Sequence, residues 1–308
     1  MRGISLNFIN DLKTGTLSKV LERVKADGTL MLEIRQDYTN IYYRGGNILR
    51  ISEKSLGNYE FSIDYGYIVD NSLENILQAD FGKNSNASSI DTWLNKLPNI
   101  KDQMDLYFGT NSRERDYQQL VVLENNYGSS ANDTDYYICD IEYANFNGRF
   151  DMIAVRWPST GPDRRRNKDL GLAFIEMKYM DKALTGQSGL LGHITGMNAF
   201  LSNPQNVNNI RDEMKHIFNQ KVDLGLLQDN KRIGSFSLDK PEYILILANH
   251  DPGKSALYRE LQSVINLSNY PSFCNKADIK IAMASFMGYG LYDDYVLDVT
   301  SFIKQNFK

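Results

Sequence analysis

The sequence predicts an α/β protein with a small α+β region in front of it, and three observations carry that expectation. Near the start, short runs of alternating apolar and polar residues are joined by a glycine-containing turn, the pattern of a small antiparallel sheet. Further on, the segments follow in the order helix, three strands, helix, helix, strand, helix, strand, which belongs to a layered sheet domain. Between the two parts, residues 79–89 are rich in Asn, Ser, Gly and Asp, which is loop chemistry. A boundary is therefore expected there, with an N-terminal α+β accessory region over 1–88 and a second domain over 89–308.

Taken in order, residues 16–25 place Leu17, Val20, Leu21 and Val24 at the spacing of one helix face. Residues 30–35 and 40–44 are β-prone, and Gly45-Gly46-Asn47 before Ile48-Leu49-Arg50-Ile51 predicts a hairpin. Residues 59–65 alternate again. In this region Tyr38, Tyr42, Tyr43, Tyr59, Phe61 and Tyr65 are interleaved with Arg35, Arg44 and Arg50. Such a pattern gives a sheet one packed and one wet face, or a surface on which bases stack, so an accessory role in substrate or partner binding is assigned to it.

Residues 111–125 read as a helix with Ser112 as its N-cap, and a polar loop follows over 128–134. Strands are predicted over 136–144, 149–157 and 172–179, then helices over 182–201 and 207–218, the first ending at Asn203-Pro204. Two short continuous apolar runs, 243–248 and 279–284, suit strands buried on both faces.

With 308 residues, 42% of them hydrophobic, the chain is long enough for about two domains at roughly 100–200 residues each, and it is neither disordered nor collagen-like. The two cysteines, Cys139 and Cys274, form no disulfide framework and no zinc spacing, so both are expected reduced. Neither a secretory h-region nor a run of about 20 apolar residues is present, and a soluble, cytoplasmic protein without membrane contact is expected. A net charge of −4 argues against a wholly basic surface, although one local basic groove is compatible with it.

The most informative segments are Gly148-Arg149-Phe150-Asp151-Met152-Ile153-Ala154-Val155 and Leu172-Ala173-Phe174-Ile175-Glu176-Met177-Lys178-Tyr179. Each places ionisable residues in an otherwise apolar strand. Because strand side chains alternate, Glu176 and Lys178 project to one face, and a neighbouring strand brings Asp151 to them. Two carboxylates and an ammonium on apolar strands need compensation, and a hard divalent cation with oxygen ligands supplies it.

This arrangement, Asp151 on one apolar strand and Glu176-Met177-Lys178 at the end of the next, resembles the PD-(D/E)xK nuclease superfamily, with its restriction-endonuclease-like fold. The resemblance spans roughly residues 111–284 and includes the helix, three strands, helix, strand order. No Pro precedes Asp151, where Phe150 stands, a departure that many members of the superfamily share. It implies a mixed central sheet flanked by helices, Mg²⁺ or Mn²⁺ held by Asp151 and Glu176, and Lys178 as the residue that positions or deprotonates the attacking water. Gln187, on the helix that follows, resembles the Gln that some branches use to contact DNA or that water.

A further carboxylate is open between Glu114, Glu124 and Glu142, with Glu142 favoured as a metal ligand because a hairpin through Asn145-Phe146-Asn147-Gly148 would bring it near Asp151. Arg164, Arg165, Arg166 and Lys182 are expected to form a basic rim for the phosphate backbone, with Arg156 and Lys168 near them. His193, on the same helix as Gln187, is read as a hydrogen-bonded neighbour and kept out of the core set. Gly253-Lys254-Ser255 lacks the glycine that a phosphate-binding loop requires, and neither a His-Glu-x-x-His nor a Gly-x-Ser-x-Gly motif occurs. The expected function is metal-dependent hydrolysis of phosphodiester bonds, with DNA preferred and a homodimer suited to double-strand cutting. The alternative is a non-catalytic module of the same fold that binds nucleic acid or a protein.

Overall fold

A computed structural model describes residues 1–110, 114–127, 133–145, 148–186, 189–227, 231–250, 256–284, 288 and 290–307. Ser112 and Gln187, together with Gly253, Lys254 and Ser255, lie outside the described residues. The chain divides into two units, Met1–Gln119 with His216–Lys231, and Leu120–Lys215 with Arg232–Lys308.

In the first unit, Ser5 caps helix α1 (Leu6–Lys13) by accepting a hydrogen bond from the Phe8 N–H at 3.0 Å. Helix α2 (Ser18–Ala26) buries Val20, Leu21 and Val24, as the helical spacing predicts. Strands β1 (Leu30–Ile34), β2 (Tyr38–Tyr43), β3 (Gly46–Ser55) and β4 (Asn58–Ser62) form an antiparallel sheet in that order. The β2–β3 turn lies one residue earlier than the glycine signal suggests. Tyr43 pairs with Gly46, and the two turn residues Arg44 and Gly45 both have positive φ, 50° and 76°, the signature of a type I′ turn. Gly45 is obligatory, since a Cβ there would lie 2.3 Å from the Arg115 carbonyl oxygen, while Arg44 is held by Asp105 at 3.0 Å and Asp116 at 2.8 Å. Of the N-terminal aromatics and arginines, Arg50 stacks on Tyr38, and Arg35 is buried beside Glu33 and Tyr42.

After α3 (Asn71–Asp80), the long helix α4 (Ser88–Thr110) buries Trp93, whose indole donates to the Ile48 carbonyl at 3.3 Å. That contact ties α4 to the first sheet, which is why the division falls at Gln119 and not at the expected residue 88. Residues 216–231 return to the same unit for an equally local reason. The Gln220 side chain accepts from the Ile4 N–H at 3.0 Å and donates to the Ile4 carbonyl at 2.7 Å, and fully buried Lys221 reaches Glu33 at 2.8 Å.

In chain order, α5 (Glu114–Val122) is followed by a π-helical turn, Leu123–Tyr127, and by the elements of the second unit. These are β5 (Tyr136–Ala144), β6 (Arg149–Arg156), α6 (Gly161–Arg165), β7 (Gly171–Tyr179), α7 (Leu190–Leu201), α8 (Pro204–Asp223), whose last residues belong to the first unit, and β8 (Glu242–Ala248). Then come α9 (Leu257–Ile265), α10 (Tyr270–Cys274), β9 (Asp278–Ala284), β10 (Leu297–Asp298) and α11 (Val299–Asn306). The six strands form a mixed sheet in the order β10-β9-β8-β7-β6-β5. β6 is antiparallel to both of its neighbours, β5 and β7, whereas β7, β8 and β9 are parallel and are joined by helical crossovers, as parallel neighbours require. β8 is buried at every position, which accounts for its continuous apolar run, and β7 is buried at all but its ends although it carries Glu176 and Lys178.

At the outer strand, the Asn126 amide pairs with both backbone groups of Ile138, each at 2.8 Å, beside a bulge between Ile138 and Asp140. The helix expected over 182–201 is shorter, a 3-10 turn at Asp181–Leu184 followed by α7. Among the described residues, no helix is long and apolar enough to cross a membrane.

Replacing one member of a buried ion pair leaves the other charge uncompensated, at a cost of about 3–5 kcal/mol. Lys221→Met is expected to destabilise the first unit by about 3 kcal/mol, and Glu33→Leu/Lys221→Met to recover part of it, the remainder being the carboxylate that Arg35 loses at 3.8 Å. Trp93 and Trp157 lie in different units, so urea unfolding followed by Trp93 fluorescence in a Trp157→Phe background reads the effect. A double variant as unstable as the single one would contradict the pairing.

Candidate functional site

The antiparallel pairing of β6 and β7 runs from Arg156↔Gly171 to Met152↔Ile175. Asp151 and Glu176 stand one residue beyond that last couple, so the register alone places the two acids across from each other. Asp151 Oδ2 accepts a hydrogen bond from the Met177 N–H at 2.8 Å, which fixes it against the edge of β7.

Two residues apart on β7, Glu176 and Lys178 share a face with Phe174, and α7 covers that face. Phe150, Phe174 and Phe200 pack there with ring centroids 4.7–5.6 Å apart. Next to this apolar cluster, Glu176 and Lys178 are 3% and 4% exposed, and burial of two ions demands close partners. They have them. Lys178 Nζ donates to Glu176 Oε1 at 2.8 Å and lies 3.0 Å from His193 Nε2, while His193 Nδ1 lies 3.0 Å from the same Glu176 oxygen. One neutral tautomer satisfies both imidazole contacts, with Nδ1–H donating to Glu176 and Nε2 accepting from Lys178.

Burial by itself raises the Glu176 carboxyl, but the His193 hydrogen bond and the Lys178 charge overcome it and hold the group below its ordinary value. Tyr243 of β8, fully buried, has its hydroxyl pushed well above the usual tyrosine range, first by burial and then by the negative charges of Glu176 and Asp151. Behind Lys178, His250 bonds the Lys178 carbonyl at 3.2 Å and Asp181 at 3.0 Å, which braces the end of β7.

A cleft of about 320 Å³ opens beside Glu176, walled by Gly192, His193 and Gly196 of α7 and by Gly148, Arg149 and Phe150. Oε2 of Glu176 has no hydrogen-bond partner among the described residues, and Glu176 lines this cleft. Gly189 is required at the start of α7, because a Cβ would lie 2.4 Å from the Leu184 carbonyl oxygen.

Asp151, Glu176 and Lys178 are thus brought together, and His193 and Tyr243 join them. Other expected members are not. Glu142 stands between the couples Ile141↔Met152 and Tyr143↔Phe150, opposite Asp151 in register, but its φ of 47° is left-handed, an irregularity that re-aims a strand side chain. Its carboxylate lies 4.0 Å from Arg149, and among the described residues no three His, Cys, Asp or Glu side chains converge as a metal cage. Glu124 lines a separate cleft of about 680 Å³ with His250 and Tyr292, and Glu114 belongs to the first unit. Without these, Asp151 and Glu176 supply two carboxylates, which suits Mg²⁺, an ion that usually keeps several waters beside one or two protein carboxylates.

The expected basic rim also separates. Arg164, Arg165 and Arg166 follow the Arg156 end of β6, roughly 16 Å from Asp151 along the strand at about 3.3 Å per residue. Arg164 is buried, stacked on Tyr137 at 4.6 Å and bonded to the Thr134 carbonyl, so its charge serves the interior. Arg165 and Arg166 are exposed at that far end, whereas Lys182, also exposed, follows Lys178 on the site's side. At the far end Arg156, Glu242, Lys280 and Asp293 form an ion-pair network, with Tyr136 donating to Glu242 at 2.7 Å.

The lowered Glu176 pKa makes a signed prediction. A carboxyl held below its unfolded value of about 4.5 contributes stability that is present above that pH and lost as pH falls through the folded value. In a Trp93→Phe background, with Trp157 reporting the second unit, wild type is expected to lose more stability below about pH 4.5 than Glu176→Gln. Equal acid losses would contradict the assignment.

Comparisons with protein-family models, with curated proteins and with solved structures find no match to this chain.

Proposed function

We propose that the chain is a metal-dependent nuclease of the PD-(D/E)xK type that hydrolyses phosphodiester bonds, with DNA as the preferred substrate. The observation that carries this reading is the convergence of Asp151 from β6 with Glu176 and Lys178 from β7, of which Glu176 lines a cleft. The sheet supports it. An antiparallel β5-β6-β7 meander whose last strand pairs in parallel with β8 through a helical crossover is the strand plan expected of a restriction-endonuclease-like core.

The two carboxylates would hold Mg²⁺ or Mn²⁺, which when bound polarises the scissile phosphate and lowers the pKa of water. The protein's own groups do the rest. Met177 N–H keeps Asp151 in place, and Lys178 with His193 holds Oε1 of Glu176 inward. Lys178 brings a positive charge to the place where negative charge develops on the phosphate, and its ammonium can position a water through its remaining proton donors. The basic loop at Arg165 and Arg166 plays no part in this chemistry.

One observation favours the alternative of a non-catalytic binding module. Glu176, Lys178 and His193 satisfy one another, as a structural ion cluster would. Cleavage decides between the two. Supercoiled plasmid, single-stranded DNA and RNA are incubated with Mg²⁺, Mn²⁺ or EDTA, using wild type and a Lys178→Ala variant whose fold is checked by circular dichroism. The expected outcome is metal-dependent cutting that falls about 100-fold or more in the variant. A folded wild type that cuts none of these substrates with either metal would favour the binding module.

A further inference from the structure

We propose that the cleft beside Glu176 admits one unpaired nucleotide, so that the substrate is a single strand, a flap or a frayed end and not the interior of a duplex. This rests on the nuclease reading of the same site. Glu176 is 3% exposed, and it lines a cleft of about 320 Å³. A phosphodiester that reacts there must leave the surface and enter the cleft. A paired nucleotide carries its partner strand with it, and a duplex whose grooves alone are about 6–12 Å wide has no way in. An unpaired nucleotide fits a space at the lower end of the roughly 300–1,000 Å³ typical of ligand pockets.

The walls match such a guest. Phe150, Phe200 and Tyr243, each exposed by 5% or less, give the cleft an apolar floor, and the His193 ring, with its side chain 28% exposed, is the aromatic lining group that has surface left to meet a base of any identity. Gly192 and Gly196 lie one turn apart on α7 and leave space beside His193, Met197 and Phe200 on that wall, and a Cβ at Gly196 meets nothing within 4 Å. Arg149 stands at the mouth with its side chain 77% exposed, where it can take the phosphate of the neighbouring nucleotide.

The test uses one DNA sequence in three forms: a single strand, a duplex closed by hairpins at both ends, and a duplex with a single-stranded flap. Wild type with Mn²⁺ is expected to cut the single strand and the flap about 100-fold faster than the closed duplex, the penalty for unpairing a base. Gly196→Phe, which fills the cleft, is expected to lower single-strand cutting about 100-fold. Arg149→Ala is expected to raise KM and leave kcat close to wild type. Mn²⁺ binding by titration calorimetry should be unchanged in Gly196→Phe and abolished in Asp151→Asn, which separates a blocked cleft from a lost metal site. Should Gly196→Phe fold poorly, Gly196→Leu fills the same space with a smaller group. Closed duplex cut as fast as single strand, or a folded, filled variant that cuts normally, overturns the inference and leaves the nuclease reading intact. No cutting of any form by wild type defeats both.

Discussion

The second unit depends on burying a carboxylate and an ammonium two positions apart on a strand that is enclosed along nearly its whole length. Neither ion can be left alone there, because desolvating an unpaired charge costs far more than one domain's margin of stability. Glu176 and Lys178 therefore bind each other, and the imidazole of His193 completes the set from α7. That requirement fixes how α7 lies on the sheet. The helix must bring His193 within hydrogen-bond reach while Phe200 packs on Phe150 and Phe174, and Gly189 allows its first turn to pass close to the Leu184 carbonyl. The cleft is the remaining space, left open because glycines occupy α7 where larger residues would close it.

The two ends of the sheet use charge differently. At the far end, Arg156, Glu242, Lys280 and Asp293 compensate one another across several strands, and burial together with those acids keeps the Tyr136 hydroxyl protonated. At the site end, Glu176 has one oxygen without a hydrogen-bond partner among the described residues and lines a cleft, and the charges of Glu176 and Asp151 add to burial in raising the Tyr243 hydroxyl. A balanced network holds strands together, whereas an acid with spare capacity beside open space is suited to binding a cation or a substrate. Arg164 illustrates the first use. Lying flat on Tyr137 and bonded to Thr134, it is part of the packing despite belonging to a run of three arginines.

Much of the sheet was legible in the sequence. The strands 136–144, 149–157 and 172–179 differ from the observed β5, β6 and β7 by at most a residue at either end, and the late apolar runs are β8 and β9. The pairing of Glu176 with Lys178 followed from the two-residue period of a strand. His193 was legible as a polar residue on a glycine-rich helix, but its distance to Glu176 depends on how that helix lies on the sheet. The arginine loop was misplaced for the opposite reason. Residues 164–166 sit between the two strands in sequence, yet a loop joining antiparallel neighbours lies at one end of them, and Asp151 and Glu176 lie at the other. The boundary near residue 88 failed because loop composition does not reveal that α4 buries Trp93 against β3, nor that Gln220 and Lys221 return to the first sheet.

By itself, the sequence determined the periodic features: which segments become strands or helices, which residues share a strand face, and which two strands carry the acids. These are local properties, set by backbone geometry within a few residues. Tertiary structure alone decided the non-local ones: His193 and Tyr243 as members of the site, the removal of the arginine loop to the far end, and the cleft itself. Each of these depends on distances between elements far apart in the chain, which packing sets and local pattern does not encode.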